Sequence, residues 1–201
     1  MNDLLLLDIR LFSRINTDWH SGFLDALMPL FSHVPLFWAI LVVVLLYLLL
    51  LACRRPDRKR RLRRIAIWAV VIGLCTGATE LTAIAVKQAA GRLRPHQSLP
   101  LARHYIDPLA GWAQNSVTVA QGKKQGSSFF SSHAANSMAV AAAVAVFCPP
   151  AVPYVYVFPL VVGYSRVYLG KHYPSDVLAG WLAGWCIATA ISRYVRRRFL
   201  L

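Results

Sequence analysis

The chain has 201 residues, of which 57% are hydrophobic and 15% are charged, and its mean hydropathy is +0.50. A soluble domain of this size is about half apolar and about a quarter charged, so the composition argues against a soluble protein. The net charge of +14 would suit a nucleic-acid-binding protein. Here, however, the cations are concentrated beside long apolar runs, which is typical of a membrane protein, and the length fits one domain over 1–201.

The N-terminal segment is predicted to lie along the membrane surface. Residues 3–16 have the periodicity of an amphipathic helix, and its apolar face carries Leu4, Leu7, Leu11 and Ile15. This helix is too short to cross a bilayer, which takes about 20 residues, so we expect it in the interface. Residues 22–33 are predicted to form a second interfacial or re-entrant piece, which makes 1–33 an interfacial N-terminal segment.

Five apolar runs are predicted to cross the membrane. They cover about 34–53, 65–87, 132–148, 151–168 and 175–193. Small residues in the third and fifth runs permit close helix packing. The sequence therefore predicts an all-α integral membrane protein, a bundle of about five transmembrane helices whose core is 34–193.

The orientation of this bundle follows from two basic segments. The loop 54–64 contains eight Lys and Arg residues, and four Arg residues lie in 193–198. Lys and Arg are enriched in cytoplasmic loops, so we expect both segments inside the cell. The long polar loop 88–131 and the short loop 169–174 then lie on the extracytoplasmic side.

Three polar clusters occur at this predicted outer face. The first is Lys87–Pro95, with the sequence KQAAGRLRP, and the second is Ser131-Ser132-His133 at the start of the third run. The third cluster extends from Ser165-Arg166 through His172 to Asp176. Because all three follow or precede spans on the same side, we expect them to meet.

The residue types in these clusters suit phosphate chemistry. Lys87, Arg94 and Arg166 supply cations, and arginine can bind phosphate oxygens in a bidentate manner. The free N–H groups of a helix start at Ser131 and Ser132 form an anion site. The second and third clusters also supply two histidines, which can act as acid, base or nucleophile.

Each residue alone also has a structural interpretation. Lys87 and Arg94 could anchor helix ends at the headgroups, and Asp176 could favour the N-terminus of the fifth helix instead of fixing a histidine tautomer. Arg166 within an apolar run is costly and is more typical of function. Glu80, two turns before Lys87, could pair within the bundle or contact the site.

Together the three motifs closely resemble the type-2 phosphatidic acid phosphatase (PAP2) superfamily, whose signature is K-x6-R-P, then P-S-G-H, then S-R-x5-H-x3-D. Lys87 to Arg94-Pro95 fits the first motif, and Ser165-Arg166 to His172 to Asp176 fits the third. The second motif departs from the family, since Phe130 replaces the proline and Ser132 replaces the glycine, while Ser131 and His133 are retained.

The resemblance implies a role for each matched residue. His172 would attack phosphorus and form a phosphohistidine, Asp176 would orient it, and His133 would protonate the leaving oxygen and then activate water. The phosphate oxygens would be held by Lys87, Arg94, Ser131, Ser132 and Arg166. No metal and no other cofactor would be needed.

The resemblance also implies a membrane lipid phosphate as substrate. We expect undecaprenyl diphosphate, with phosphatidylglycerophosphate, phosphatidate and lipid A phosphates as alternatives. A lipid phosphotransferase is a second alternative, and a non-catalytic lipid-binding protein is a third that the presence of His133 and His172 disfavours. The expected location is a bacterial inner membrane, with the site facing the periplasm.

Overall fold

A computed structural model of the chain describes residues 3–116 and 127–199, without the side chain of Val34. The part of the predicted 88–131 loop between 117 and 126 lies outside the described residues. The helices are α1 Asp3–Ser13, α2 Gly22–Leu27, α3 Val34–Cys53, α4 Arg58–Ala90, α5 Pro95–Ser98, α6 Ser132–Phe147, α7 Val152–Val155, α8 Val157–Tyr168 and α9 Pro174–Phe199. A π-helical turn at Arg14–Asp18 and 3-10 turns at Met28–Ser32 and Pro149–Ala151 complete the helical structure in these ranges.

The fold is the expected all-α membrane bundle, with α6 at its centre. Helix α6 packs against α9, α4 and α8. Its alanines make this possible, because small side chains let helix backbones approach closely. Gly184 of α9 shows how close they come, since a Cβ there would lie 2.1 Å from the carbonyl oxygen of Ala135.

The described residues include three helices that are long and apolar enough to cross a bilayer, within Pro35–Cys53, Arg58–Ser98 and Pro174–Phe199. The first matches the predicted span 34–53. Helix α6 has 16 residues and is apolar but shorter. The lipid-facing side chains of α3 are apolar and exposed, for example Val43 at 64%.

Two of the predicted boundaries are wrong. The basic segment predicted as the loop 54–64 is mostly helical, because α4 already begins at Arg58. The fourth predicted span, 151–168, is divided into a 3-10 turn, α7 and α8. Pro153 and Pro159 lie in this segment, and a proline lacks the N–H that a continuous helix requires.

The long loop between α4 and α6 has structure of its own. It contains α5 and a two-stranded antiparallel ribbon, in which β1, Arg103–Tyr105, pairs with β2, Trp112–Gln114. The ribbon packs closely on the turn that follows α8. At Gly170, which has φ +72°, a Cβ would lie 2.2 Å from the carbonyl oxygen of Arg103. Only glycine tolerates such a position without strain.

Helix α1 is fastened to the same end of the bundle. Its Phe12 is buried against Tyr173 and Val177, and Asn16, just beyond the helix, donates to the carbonyl oxygens of Arg103 and Tyr168 at 2.9 and 2.7 Å. The predicted apolar face is largely exposed, since Leu4, Leu7 and Leu11 are 80%, 53% and 41% accessible. Such an outward apolar stripe suits an interfacial helix, which remains a prediction.

Candidate active site

The start of α6 meets the end of α4, so the first two polar clusters lie together as the sequence predicts. Lys87 donates to the hydroxyl of Ser132 at 2.5 Å, which ties the first motif to the second. Ser132 and His133 occupy the first positions of α6, where backbone N–H groups have no intrahelical acceptor. An anion placed here would therefore meet both a lysine and a helix N-terminus.

Ser131 caps α6, and its own N–H is already used. Its hydroxyl accepts from the N–H of Ala134 at 3.4 Å, and its N–H donates to the carbonyl oxygen of Asp176 at 3.0 Å. The sequence-based expectation of a free N–H at Ser131 is therefore wrong, because this group joins α6 to α9. At the start of α6, the N–H groups of Ser132 and His133 have no partner among the described residues, so they are available to a ligand.

Two arginines face the same place with unused donors. Arg94 precedes α5, and Arg166 lies near the end of α8, where it is 8% exposed. The Nε atoms of both are buried and have no hydrogen-bond partner among the described residues. Buried guanidinium donors without partners are costly, so this arrangement indicates an anionic ligand.

Lys171 is a further cation that the motif comparison missed. It directly precedes His172, and its N–H donates to the carbonyl oxygen of Arg166 at 3.1 Å. Burial and the neighbouring charges of Arg166 and Arg94 lower the pKa of Lys171 to about 8. Its position directly before the predicted nucleophile in the sequence could have identified it as a site residue.

His172 is held by a backbone carbonyl. Its Nδ1 lies 2.8 Å from the carbonyl oxygen of Ser128 and 3.7 Å from Oδ2 of Asp176. A carbonyl can only accept, so Nδ1 carries the proton and Nε2 keeps its lone pair. Burial and the nearby arginines Arg166 and Arg94, opposed by Asp176, lower the pKa of His172 to about 4, which keeps the ring neutral at ordinary pH.

Ser128 is itself fixed to the end of the first motif. Its N–H donates to the carbonyl oxygen of Arg92 at 2.8 Å, and its hydroxyl donates to that of Leu93 at 3.2 Å. Ser127 accepts from the N–H of Arg92 at 3.1 Å. The segment that orients His172 is therefore laid along residues 92–93, a pairing that no sequence spacing predicts.

Asp176 is fully buried, and its carboxylate accepts hydrogen bonds from several donors. Its Oδ1 accepts from Arg92 at 2.7 Å, and its Oδ2 accepts from the N–H of Tyr173 at 2.9 Å. The bond to Tyr173 caps the start of α9 in the manner of a capping box. The structure thus shows the helix-start role considered from the sequence, together with a position beside His172.

Arg92 and Asp8 form a second layer behind this residue. Arg92 lies over the ring of Tyr173, 4.0 Å from its centroid, and donates to Asp8 at 2.6 Å. Asp8 also accepts from the N–H and hydroxyl of Ser175, at 2.9 and 2.5 Å. Sequence reasoning missed both residues, since Asp8 is far away in the chain.

His133 completes the arrangement on the bundle side. It lies within electrostatic range of Arg166, His172 and Lys87, and it borders a cavity between the helices. The site thus combines an oriented neutral histidine, a second histidine and at least three cations. Such a set can bind a phosphoryl group, transfer it to nitrogen and protonate a leaving oxygen.

Comparison with known proteins agrees with this geometry. The model of the PAP2 superfamily matches residues 68–200, which is more than half of the chain. A search of curated proteins gave no significant match.

Two solved structures have a similar fold. One is the first transmembrane PAP2 type phosphatidylglycerolphosphate phosphatase from Bacillus subtilis, with TM-score 0.67 and 20% identity over 99% of this chain and 90% of that one. The other is LpxE of Aquifex aeolicus, with TM-score 0.63 and 22% identity over 94% of this chain and 96% of that one.

Proposed function

The chain belongs to the PAP2 superfamily, and on that premise we propose that it is a metal-independent phosphatase of membrane lipids that acts through a phosphohistidine. The observation that carries the proposal is the bond from Nδ1 of His172 to the carbonyl oxygen of Ser128. It leaves the lone pair of Nε2 free, and a neutral imidazole nitrogen beside buried cations is a nucleophile for phosphorus.

The proposed reaction has two steps. In the first, Nε2 of His172 attacks phosphorus, the bond from phosphorus to the lipid oxygen breaks, and His133 gives its proton to that oxygen. In the second, His133 takes a proton from water, and the water oxygen attacks phosphorus. The bond from phosphorus to Nε2 of His172 breaks, which releases phosphate and restores the imidazole. Asp176 is the residue that would stabilise the positive charge on His172 as it forms.

The phosphoryl oxygens would be held by protein cations in place of a metal. Arg94 and Arg166 have buried donors that are unpaired among the described residues, and the ammonium group of Lys87, from the last turn of α4, reaches Ser132 at the start of α6. Preorganised donors of this kind stabilise the charge that develops in the transition state. Ser132 positions Lys87, and Ser131 acts through its cap on α6.

The substrate class is a lipid with a terminal phosphate. Undecaprenyl diphosphate is the first candidate from the sequence resemblance, and phosphatidylglycerophosphate, phosphatidate and lipid A phosphates are alternatives. The structural neighbour from Bacillus subtilis is described as a phosphatidylglycerolphosphate phosphatase, which supports the same class. A phosphotransferase would use the same first step with a lipid hydroxyl in place of water.

We further propose that the chain lies in a bacterial inner membrane with the site facing the periplasm. Helices α4 and α9 carry the basic segments at the ends opposite to Lys87 and Asp176. This arrangement fits the bias of Lys and Arg towards the cytoplasm.

Phosphate release from a panel of these lipids, by purified protein in detergent, tests the function. We expect release that EDTA leaves intact and vanadate inhibits. His172→Gln should reduce it by at least about 10⁴-fold, while the matched surface variant His20→Gln should have no effect. Near-normal turnover by His172→Gln, or a loss in EDTA that magnesium restores, would contradict the mechanism. Labelled product appearing on a second lipid would identify a transferase.

A further inference from the structure

A cavity of about 450 Å³ lies between α3, α4, α6 and α8. Its wall is mainly apolar and aromatic, and it includes Phe31, Phe37, Trp38, Phe158 and Val162. His133 and Ser132 border it as well. Since His133 is the proposed donor to the leaving oxygen, the cavity is where the leaving group of the substrate would lie.

Two residues with hydrogen-bond acceptors contribute to the wall of this apolar cavity. Glu80 of α4 and Asn136 of α6 both line it, and Nδ2 of Asn136 donates to Oε2 of Glu80 at 2.7 Å. The other amide atom, Oδ1 of Asn136, is buried and has no partner among the described residues. A tie between α4 and α6 explains the first contact but leaves the buried Oδ1 unexplained, and an unpaired buried acceptor costs free energy.

The acceptors are close to the proposed chemistry. Asn136 is three residues after His133 on α6, and side chains at this spacing are neighbours on a helix, with Cβ atoms about 5–6 Å apart. A group that bonds to Asn136 would therefore lie next to the oxygen that His133 protonates. A carboxylate within a membrane span is also costly unless it has a function.

Resting on the proposed function, we infer that Glu80 and Asn136 form a subsite for a free hydroxyl on the leaving alcohol of the substrate. The substrate is then a lipid phosphomonoester with a hydroxyl near the ester oxygen, as in a glycerol headgroup. A hydroxyl can donate to either acceptor, whereas in a diphosphate the leaving group is itself a phosphate, whose charge would lie directly beside the carboxylate of Glu80. The subsite thus favours a hydroxylated monoester over undecaprenyl diphosphate.

Two lipids that differ by one hydroxyl test this inference. Phosphatidylglycerophosphate has the hydroxyl on its headgroup, and its analogue built on 1,3-propanediol lacks it. We expect the wild type to favour the hydroxylated lipid in kcat/KM by about tenfold or more. Glu80→Gln and Asn136→Ala should each reduce this ratio, mainly by slowing turnover of the hydroxylated lipid.

A matched control lies in the same cavity. Thr76 lines it, but its hydroxyl donates to the carbonyl oxygens of Ile72 and Gly73 at 3.0 and 3.1 Å. Thr76→Val should therefore leave the preference unchanged. Undecaprenyl diphosphate provides a further arm, because Glu80→Gln removes a negative charge and should raise its turnover relative to the propanediol lipid.

The outcomes separate this inference from the proposed function. Equal wild-type kcat/KM values for the two lipids would overturn the hydroxyl subsite, and the wild-type comparison decides this even if a variant fails to insert. An equal loss of kcat/KM on both lipids in Glu80→Gln and Asn136→Ala would show that the pair only links α4 to α6, which would also overturn the subsite. Failure to release phosphate from any lipid would overturn the proposed function itself.

Discussion

Arg92 donates Nη1 to Oδ1 of Asp176 at 2.7 Å, so the acidic residue of the third motif is held first by an arginine. The Nδ1 of His172 lies nearer to the carbonyl oxygen of Ser128, at 2.8 Å, than to Oδ2 of Asp176, at 3.7 Å. Arg92 therefore fixes the carboxylate, and the carbonyl fixes the imidazole. Asp176 is thus placed to stabilise a positive charge on His172, while the carbonyl group of Ser128 orients the ring.

Arg92→Met should lower kcat by about 10- to 100-fold with little change in KM, because Arg92 positions Asp176 and does not contact the phosphoryl group. Removing it also leaves Asp8 and Asp176 as buried carboxylates without their cation, which is strongly destabilising. Steady-state kinetics on one lipid will measure the effect. Arg92→Lys keeps the charge but not the fork, so it should restore only part of the rate.

The control for this prediction is Arg61→Met. Arg61 also pairs with an aspartate, Asp57 at 2.7 Å, but that pair is about half exposed and lies at the opposite end of α4. Exposed pairs contribute little, so rate and stability should remain unchanged. A KM effect as large as the kcat effect in Arg92→Met would instead indicate direct substrate binding.

Asp8→Asn should loosen α1 from the bundle. The Asp8 carboxylate accepts three hydrogen bonds from Arg92 and Ser175 while it is 7% exposed, so its loss should cost about 1–3 kcal/mol. Thermal unfolding in detergent and protease cleavage after α1 will report this. Asp18→Asn, at an exposed carboxylate of the same segment, is the control. Unchanged stability in Asp8→Asn would show that Phe12 and Asn16 are sufficient to dock the helix.

Acid should destabilise the fold through His172. Because its folded-state pKa is lowered to about 4 and the unfolded value is about 6.5, only the unfolded chain gains the proton between these values. The contribution of His172 to the free energy of unfolding is then fully present above about pH 6.5, and it falls by about 3 kcal/mol as the pH drops to 4.

The thermal midpoint of unfolding in detergent, followed from pH 7 to 4, will measure this effect. His172→Gln should make the fall shallower, and part of the fall should remain because burial also lowers the pKa of His96 to about 4. His20→Gln, which removes an exposed histidine, is the matched control variant. An identical profile in wild type and His172→Gln would show that His172 titrates normally in the fold.

Gly184→Ala should destabilise the contact between α6 and α9. Its Cβ would lie 2.1 Å from the carbonyl oxygen of Ala135, so the helices would have to separate at a cost of about 1–3 kcal/mol. Gly73→Ala is the control, because nothing lies within 4 Å of a Cβ at that glycine. Since α6 carries His133, activity should fall together with the thermal midpoint, and equal midpoints in the two variants would refute the close contact.

Much of this architecture is visible in the sequence, because it depends on local patterns. The apolar run 34–53 coincides with α3, and the capping serine before His133 marks the start of α6. Pro153 and Pro159 were a signal for the break in the fourth predicted span, but a prediction from hydropathy alone does not take them into account. The helical course of the basic segment had none, since Lys and Arg are good helix formers that also occur in loops.

The supporting residues of the site could not be found in the same way. Ser128 acts through its backbone carbonyl, which any residue type would supply, and Asp8 meets Arg92 across a sequence separation of 84. Such contacts come from tertiary packing and leave no spacing in the sequence. The motif residues were accessible because their spacing along helices is local, as for His172 and Asp176.

We expect the site to face the extracytoplasmic side of the membrane. Helices α4 and α9 have 33 and 26 residues, and at about 1.5 Å per residue each exceeds the hydrocarbon thickness of about 30 Å. Their basic ends and their motif ends must then lie on opposite sides, and the basic ends are expected inside. Leu109, in the turn between the two strands of the β-ribbon, is fully exposed, and Lys59 is exposed at the basic end of α4. With the four native cysteines replaced, Leu109→Cys should react with an impermeant maleimide in intact spheroplasts, and Lys59→Cys should react only after permeabilisation. The reverse pattern would make this a phosphatase of the cytoplasmic face.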